Sequence, residues 1–367
     1  MQYLSKLNLL NFKNHENLEL EFCPKINALV GKNGVGKTNV LDAVYYLSMC
    51  KSYINGVDKH NIRFDSGFFS IQGKFKHEKD SSTVLCSVKA GAKKVFKRNK
   101  VEYEKLADHI GLYPVVFISP YDGDLIAEGS EMRRKWMDGI ISQIDKKYLE
   151  NLMNYNRVVE QRNALLKQIH LGNQNTSELE IWDAPMEQLG EKIYERRLVF
   201  VDSFIPIFEK YYQTIGAETE TVQMVYRSDF GKGTFTSLLQ SNLRKDLAYQ
   251  YSTVGIHKDD LLFSLNGNPV KKYGSQGQQK SYVIALRLAQ YEYIAEICNQ
   301  KPVLLLDDIF DKLDSTRILK LIDLVSSDFF GQVIITDTES ERLELIFKER
   351  NAEFRIFDIH SLPITHE

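Results

Sequence analysis

The chain has 367 residues, 47 Lys and Arg against 49 Asp and Glu, a formal net charge of −2 and 43% hydrophobic residues. This is the composition of a globular protein with core enough for one large or two ordinary domains. Near-neutrality excludes a globally basic nucleic-acid binder, so any such contact needs a local patch; the lack of an apolar run of about 18 residues predicts no transmembrane helix, and no membrane partner is expected.

The N-terminus, "MQYLSKLNLLNFKNHENLELEF", lacks the basic start, apolar block and cleavage site of a signal peptide. "YLSKLNLLNF" and "LELEF" alternate with period two and predict strands joined by a polar turn over Lys13–Asn17. "INALV" (26–30) is a short apolar strand running into a glycine loop, and "TNVLDAVYYLSMC" (38–50) has helical spacing with Val40, Val44 and Leu47 on one face. Residues 68–118 predict four strands: "FFSIQGKF", "TVLCSVKA", "KVFKRNKVEY" and "YPVVFIS". From 131 to 213 the helical period takes over, interrupted by "LGNQNT", Pro185 and Pro206, which predicts a lobe of several helices. "TVQMVY" then reads as a strand, "TSLLQSNLRKDLAYQY" as a helix and "LLFSLNGNPVKKY" as a hairpin turning at Asn266-Gly267. "PVLLLDD" and "QVIIT" are buried strands. No repeat, low-complexity tract or sustained heptad pattern occurs. Cys23, Cys50, Cys86 and Cys298 are widely spaced without CxxC, which disfavours zinc and disulfide frameworks and predicts a reducing, cytoplasmic setting.

"GKNGVGKT", Gly31 to Thr38, matches the phosphate-loop pattern G-x-x-x-x-G-K-[ST], with a strand before it and a helix after it. Gly31, Gly34 and Gly36 let backbone N–H groups close on phosphate oxygens. Lys32, Asn33, Val35 and Asn39 complete the segment, Lys37 brings a cation to the β/γ-phosphates, and the Thr38 hydroxyl is a Mg²⁺ ligand. Both flanks are right, which sets aside a chance glycine loop. In "PVLLLDDIFDKLD" (302–314) an apolar strand ends in two acids: Asp307 to hold Mg²⁺ and Asp308 to orient or deprotonate the attacking water. Capping of a following helix is the other role for such a pair. The expected cofactors are ATP and Mg²⁺, with Lys37, Asp307 and Asp308 catalytic and Thr38 and Asp307 on the metal.

About 270 residues separate the two motifs, a gap that fits ABC-type ATPases, where a second lobe is threaded between the halves of the nucleotide core. "GSQGQQK", about 30 residues before the acid pair, stands where those ATPases carry a Ser-Gly-rich signature loop. Ser275 supplies a hydroxyl, Gly277 close backbone approach and Gln278 a further polar contact, and Tyr282, Leu286, Ala289 and Tyr293 share a face of the helix behind. A plain N-cap by Ser275 explains the loop in isolation; the order of the three motifs favours the signature. The predicted fold is α/β, an ABC-type P-loop ATPase head with an inserted helical lobe and no long coiled coil. Lobe I comprises residues 1–118 and 298–367, and the mainly helical lobe II residues 119–297.

The whole chain resembles the RecF family of bacterial recombination mediators, related to the SMC-type ATPase heads. The matching stretches are "LNLLNFKNHENLELEF", "GKNGVGKTNVLDAVYYLSMCKSY", "VVFISPYDGDLIAEGSEMRRKWMD", "YNRVVEQRNALLK", "GIHKDDL", "GSQGQQK" and "LLLDDIFDKLD". The resemblance implies ATP-dependent dimerisation on single- and double-stranded DNA at gaps or junctions, slow ATP hydrolysis, and recombinase loading with RecO- and RecR-type partners in recombinational repair and replication-fork maintenance. Ile54 and Lys13 stand where the family usually has arginine, and Ile256 where it has proline. Thr336 and Asp337 follow "QVIIT" in place of the transporter switch histidine, and no glutamine lies near Pro120. The alternative class, the nucleotide-binding subunit of an ABC transporter, requires those two features and a membrane partner. A third class is an ATP-gated clamp that barely hydrolyses.

Three weaker features remain. The basic run Lys89, Lys93, Lys94, Lys97, Arg98 and Lys100 is either a phosphate-backbone contact or a solvated hairpin. Arg133, Arg134 and Lys135 have three readings: DNA contact, helix cap or ion pairs. His257 with Asp259 and Asp260 reads as a hydrogen-bonded loop or dimer interface rather than a metal site. The 19 tyrosines are scattered and show no paired platform for single-stranded bases.

Overall fold

The computed structural model describes residues 1–78, 80–216, 219–309, 314–350 and 352–360. The chain divides into two compact units, Met1–Asp122 with Thr214–Gly216 and Lys280–Glu367, and Gly123–Gln213 with Ala217–Gln279. Phe310–Leu313, inside the acidic segment, and residues 361–367 lie outside the described residues.

The first unit holds two sheets. Strands β1 (Gln2–Phe12), β2 (His15–Glu21), β4 (Phe68–His77), β5 (Asp80–Lys89), β6 (Val95–Arg98) and β7 (Val101–Glu102) make an antiparallel sheet in the order β2-β1-β4-β5-β6-β7. Alternation sets its buried face: Phe69, Ile71 and Phe75 of β4 point inward with Val84, Cys86 and Val88 of β5. The basic "KVFKRNKVEY", expected as one strand, is two, reversed at Asn99 (φ 50°) and Lys100 (φ 71°). The other sheet is parallel, in the order β14-β3-β13-β12-β8: β3 (Ile26–Val30), β8 (Val115–Ile118), β12 (Val303–Leu306), β13 (Val333–Asp337) and β14 (Phe354–Asp358). Strands β3, β8, β12 and β13 are wholly buried, as the apolar runs of β8 and β12 predict, and Asn27 of β3 and Thr336 and Asp337 of β13 are buried with them.

Helix α1 (Lys37–Met49) shares one core with both sheets. Its approach depends on Gly73 of β4, where a Cβ would stand 2.5 Å from Leu47 Cδ1. Helices α9 (Ser315–Ser326) and α10 (Ser340–Glu349) complete the described part of this unit, together with the body of α8 (Gln276–Cys298). The sequence placed one apolar face on α8, with Tyr282, Leu286, Ala289 and Tyr293. All four are buried, but so is every residue from Ser281 to Ile294, including Arg287, Gln290 and Glu292. The helix is central, not amphipathic, and its polar residues must find partners inside.

The second unit is built on α2 (Asp124–Ala127), α3 (Ser130–Ile144), α4 (Lys146–His170), α5 (Glu180–Ile215) and α6 (Phe235–Tyr249). It also carries the sheet β11-β10-β9, with β9 (Val222–Arg227), β10 (Asp260–Leu265) and β11 (Asn268–Pro269), followed by the single turn α7 (Val270–Tyr273). "LGNQNT" does separate two helices, but Pro185 and Pro206 break nothing: both lie within the 36 residues of α5. Each proline costs about 3 kcal/mol in a helix interior. Met186, Ile193, Phe200, Phe204, Phe208, Tyr212 and Ile215 recur at helical spacing and are all buried, at about 1.5–3 kcal/mol each, so the apolar stripe outweighs the two lost hydrogen bonds.

His109 is wholly buried in the first unit, its ring nitrogens bonded to Leu47 O (2.7 Å) and Tyr103 OH (3.1 Å), and burial lowers its pKa to about 4. The unfolded chain takes up a proton near pH 6.5 that the native site refuses. Native stability should therefore fall as pH drops from 6.5 towards 4, by up to about 3 kcal/mol from this residue. Denaturant melts across that range check this: in His109→Gln the slope of stability against pH should lose up to one proton, whatever the variant's stability at neutral pH.

Candidate nucleotide site

The loop after β3 turns at Gly31 (φ 143°), Gly34 (φ 85°) and Gly36 (φ 102°). Gly36 is also required by space, since a Cβ there would lie 2.4–2.6 Å from the Asn14 amide and the His15 ring. Those residues form the turn between β1 and β2, which is tighter than the sequence suggested because β2 begins at His15. Asn14 Nδ2 donates to Val35 O (2.9 Å), Asn14 Oδ1 accepts from Asn39 Nδ2 (2.7 Å), and His15 Nε2 pairs with Gly36 O (3.1 Å). The hairpin tip thus props the loop from behind. Burial lowers the pKa of His15, which favours the neutral ring, and a bond to the Gly36 carbonyl then requires the proton on Nε2.

Lys37 is buried at the start of α1, and its Nζ donates to Gly31 O (2.5 Å) and Lys32 O (3.1 Å). Burial lowers its pKa, while the carboxylates of Asp308, Asp307 and Asp337 oppose the shift. Lys32, Asn33 and Gly34 are exposed, and Val35, Gly36, Thr38 and Asn39 half-buried.

The acid pair lies at the C-terminal end of β12, and β13 separates β12 from β3 in the sheet. Asp307 is buried, and its Oδ1 accepts from Thr38 Oγ1 and Thr336 Oγ1, both at 2.9 Å. The Thr336 oxygen in turn accepts from Asp308 N at 2.9 Å, and Asp308 sits half-buried at φ 46°. Burial raises the pKa of Asp307, against the two hydroxyl donors that lower it. Asp337 is tied to Arg342 Nη2 (2.8 and 2.7 Å) and to the N–H groups of Thr338 and Glu339, so it is a structural acid.

Thr38 Oγ1 and Asp307 Oδ1 offer hard oxygen donors beside a loop of backbone N–H groups. Among the described residues no group of three or more His, Cys, Asp or Glu is arranged to hold a metal. One hydroxyl and one carboxylate suit Mg²⁺, which retains waters and takes its other ligands from phosphates.

Ser275, Gly277 and Gln278 belong to the second unit. Ser275 N donates to Gln278 Oε1 (2.7 Å) and Gln278 N to Ser275 Oγ (3.2 Å), a reciprocal cap on α8. Gln278 Nε2 also donates to Glu220 Oε1 (2.7 Å). Ser275 is exposed, and the cap leaves its hydroxyl proton uncommitted.

Two buried networks had no sequence signal. Lys13 Nζ pairs with the fully buried Asp42 (2.6 Å), which also accepts from Ser52 Oγ (2.7 Å) and Tyr53 N (2.6 Å). The charge retained at Lys13 is therefore engaged internally, while Ile54 is exposed. Arg287 of α8 donates to both oxygens of Asp122 (2.6 and 3.1 Å) and to Tyr53 OH (2.8 Å), and Tyr53 OH donates to Asp122.

The weaker features make the following contacts. Arg133 pairs with Asp260 (2.7 Å), Arg134 donates to Asp259 O (2.6 Å), and Lys135 pairs with Glu131 (2.7 Å). His257 bonds Tyr155 OH and Ser252 O, and Asp259 pairs with the buried Arg197 at 2.8 Å. In the basic hairpin Lys94 is anchored on Asp58 (2.8 Å) and Cys50 O (2.7 Å), whereas Lys89, Lys93 and Lys100 are exposed.

The family model described as RecF/RecN/SMC N terminal domain matches residues 3–357. A DNA replication and repair protein RecF of Flavobacterium johnsoniae is 48% identical over 358 residues, spanning 97% of this chain and 100% of that one. The chain belongs to the RecF family. A second RecF, from Phocaeicola vulgatus, is 44% identical over 99% of this chain and 98% of its own. A solved structure described as the recombination mediator protein RecF-ATP in the RecFOR pathway superposes with TM-score 0.86 at 31% identity, covering 92% of each chain. An Smc head domain from Pyrococcus furiosus, at 16% identity and TM-score 0.57, shares the fold. The RecF fold is thus an ABC-type ATPase head, and the family is that of DNA replication and repair proteins rather than transporter subunits.

Asp122→Ala would leave Arg287 buried without its carboxylate, at a cost of about 3–5 kcal/mol. Pairing it with Arg287→Met should recover much of that loss. Urea melts of the two variants against the parent chain measure both.

Proposed function

We propose that this RecF family member is a slow Mg²⁺-dependent ATPase whose ATP-bound pair of copies holds DNA at gaps or single/double-strand junctions in the cytoplasm, releases it on hydrolysis, and assists recombinase loading with RecO- and RecR-type proteins. The observation that carries the reading is the joined cluster of Thr38, Asp307, Thr336 and Asp308 beside a propped phosphate loop. The names of the relatives and the ATP in the description of the similar RecF structure support it.

In this reading the N–H groups of Gly31–Asn39 bind the phosphates, and Lys37 swings from the Gly31 and Lys32 carbonyls to their oxygens. Thr38 and Asp307 hold Mg²⁺, which when bound neutralises phosphate charge. Asp308 orients the attacking water and accepts its proton, helped by a backbone that Thr336 fixes. An aspartate reaches less far than a glutamate, and Asp337 is occupied by Arg342; both suit slow turnover. Ser275, Gly277 and Gln278 of a second copy complete the site over the γ-phosphate, the Ser275 hydroxyl donating its free proton. The exposed Lys89, Lys93 and Lys100 take DNA phosphates.

Light scattering with and without ATP tests this. The mass should double with ATP in the parent chain. Ser275→Arg should bind ATP normally and stay at single mass, whereas Gly36→Ala, with strain and a clash at the loop, should lose ATP affinity by tenfold or more on the order of 2 kcal/mol of damage. Unchanged mass with nucleotide shown to be bound would sink the paired site. DNA affinity should fall steeply with salt.

A further inference from the structure

The second unit carries an exposed aromatic pair outside the nucleotide-site motifs, just before the "GIHKDDL" stretch. Helix α6 ends at Tyr249, and Gln250 reverses the chain in the left-handed region (φ 60°). Tyr251 therefore folds back on Tyr249, with ring centroids 5.7 Å apart and planes 21° from parallel. Had α6 continued, residues two apart would have pointed to different sides of the helix, which is why the sequence showed no platform. The two residues are 61% and 43% exposed.

Lys258 Nζ stands 4.6 Å from the Tyr251 centroid, and Lys245 lies one helical turn before Tyr249 on the same side of α6. Both lysines are exposed. The neighbouring acids are already neutralised inside the unit: Asp246 by Arg162 (2.6 Å), Asp259 by Arg197 (2.8 Å) and Asp260 by Arg133 (2.7 Å). The platform is preformed, because Ser252 N and Oγ bond Asn163 Oδ1 (2.7 and 2.8 Å) and Thr253 N bonds Asp246 Oδ1 (2.8 Å).

An exposed tyrosine pair beside two amines with no ion pair among the described residues matches a strand whose bases are unstacked and whose phosphates run alongside. A duplex offers the phosphates but hides the base faces. We propose that Tyr249 and Tyr251, with Lys245 and Lys258, form a subsite for single-stranded DNA, a base stacking on the tyrosine pair and the flanking phosphates meeting the two amines. It rests on the DNA-binding reading above and names where the single-stranded arm lies.

Fluorescence anisotropy of the full chain with ATP tests this, using labelled oligothymidylate, an abasic strand of equal length and a duplex. Tyr249→Ala with Tyr251→Ala should lower affinity for oligothymidylate about tenfold or more while leaving the abasic strand and duplex within about twofold. Tyr251→Phe, which keeps the ring, should bind like the parent chain. ATP binding by calorimetry reports that each variant is folded. Unchanged oligothymidylate binding in the double variant, or equal losses on all three ligands, overturns the subsite. A parent chain that binds duplex but no single strand also overturns it and spares the wider reading. One that binds none of the three overturns the DNA reading itself, and the subsite with it.

Discussion

The proposed nucleotide site depends on one buried carboxylate. Asp307 would be costly to keep ionised inside the protein, and two threonine hydroxyls stabilise it: Thr38 from the helix after the phosphate loop and Thr336 from β13. These bonds tie three segments that are far apart in sequence. Thr336 serves both acids at once: its oxygen takes the Asp308 N–H while its proton goes to Asp307. A hydrophobic residue at 336 would remove one of the two hydroxyl donors to Asp307 and the acceptor for the Asp308 N–H.

A second constraint acts on the other side of the loop. The hairpin tip at Asn14 and His15 packs so close to Gly36 that no other residue type fits. Lys13, beside them, is paired with Asp42 on the inner side of α1. The next residues along that network, Ser52 and Tyr53, bond Asp42, and Tyr53 reaches Asp122 and Arg287. Buried ion pairs add little net stability over apolar packing, so their value here is positional. They hold the helix of the phosphate loop, the segment after it and the body of α8 in one arrangement, which apolar packing of the same volume would specify less sharply.

The chain's strands and the glycine loop after β3 were legible because their signals are local: period two in β4 and β5, apolar runs in β3 and β12, and a glycine pattern with correct flanks. The failures also have local explanations. Proline punctuation at 185 and 206 was overruled by an apolar stripe whose energy is tertiary. The one apolar face expected on α8 understates its burial, because Arg287, Gln290 and Glu292 are polar yet lie inside with it. Thr336 was noticed only for not being histidine, since a threonine in a strand carries no mark of the hydrogen bonds it makes. Asn14 and His15 looked like an ordinary polar turn, and the tyrosine pair depends on one left-handed residue, Gln250, that a non-glycine sequence does not announce.

The exposure of Ser275 gives the proposed pair its logic. Its oxygen already accepts from Gln278 N, so the hydroxyl proton is what remains to be offered, and nothing in the loop itself requires it. A phosphate oxygen presented by a second copy would satisfy it. Hydrogen bonds to charged groups are worth about 1.5–3 kcal/mol each, and a two-fold pair makes every such contact twice. Two contacts per site would then bias association by roughly 6–12 kcal/mol before ordering costs, enough to convert a weak encounter into a stable pair. Loss of the γ-phosphate removes all of them together. The helix cap and the proposed signature role are therefore compatible for residues 275–278: the cap fixes the loop's shape, and in the proposed pair the proton it leaves over would let the loop report on a ligand held by another molecule.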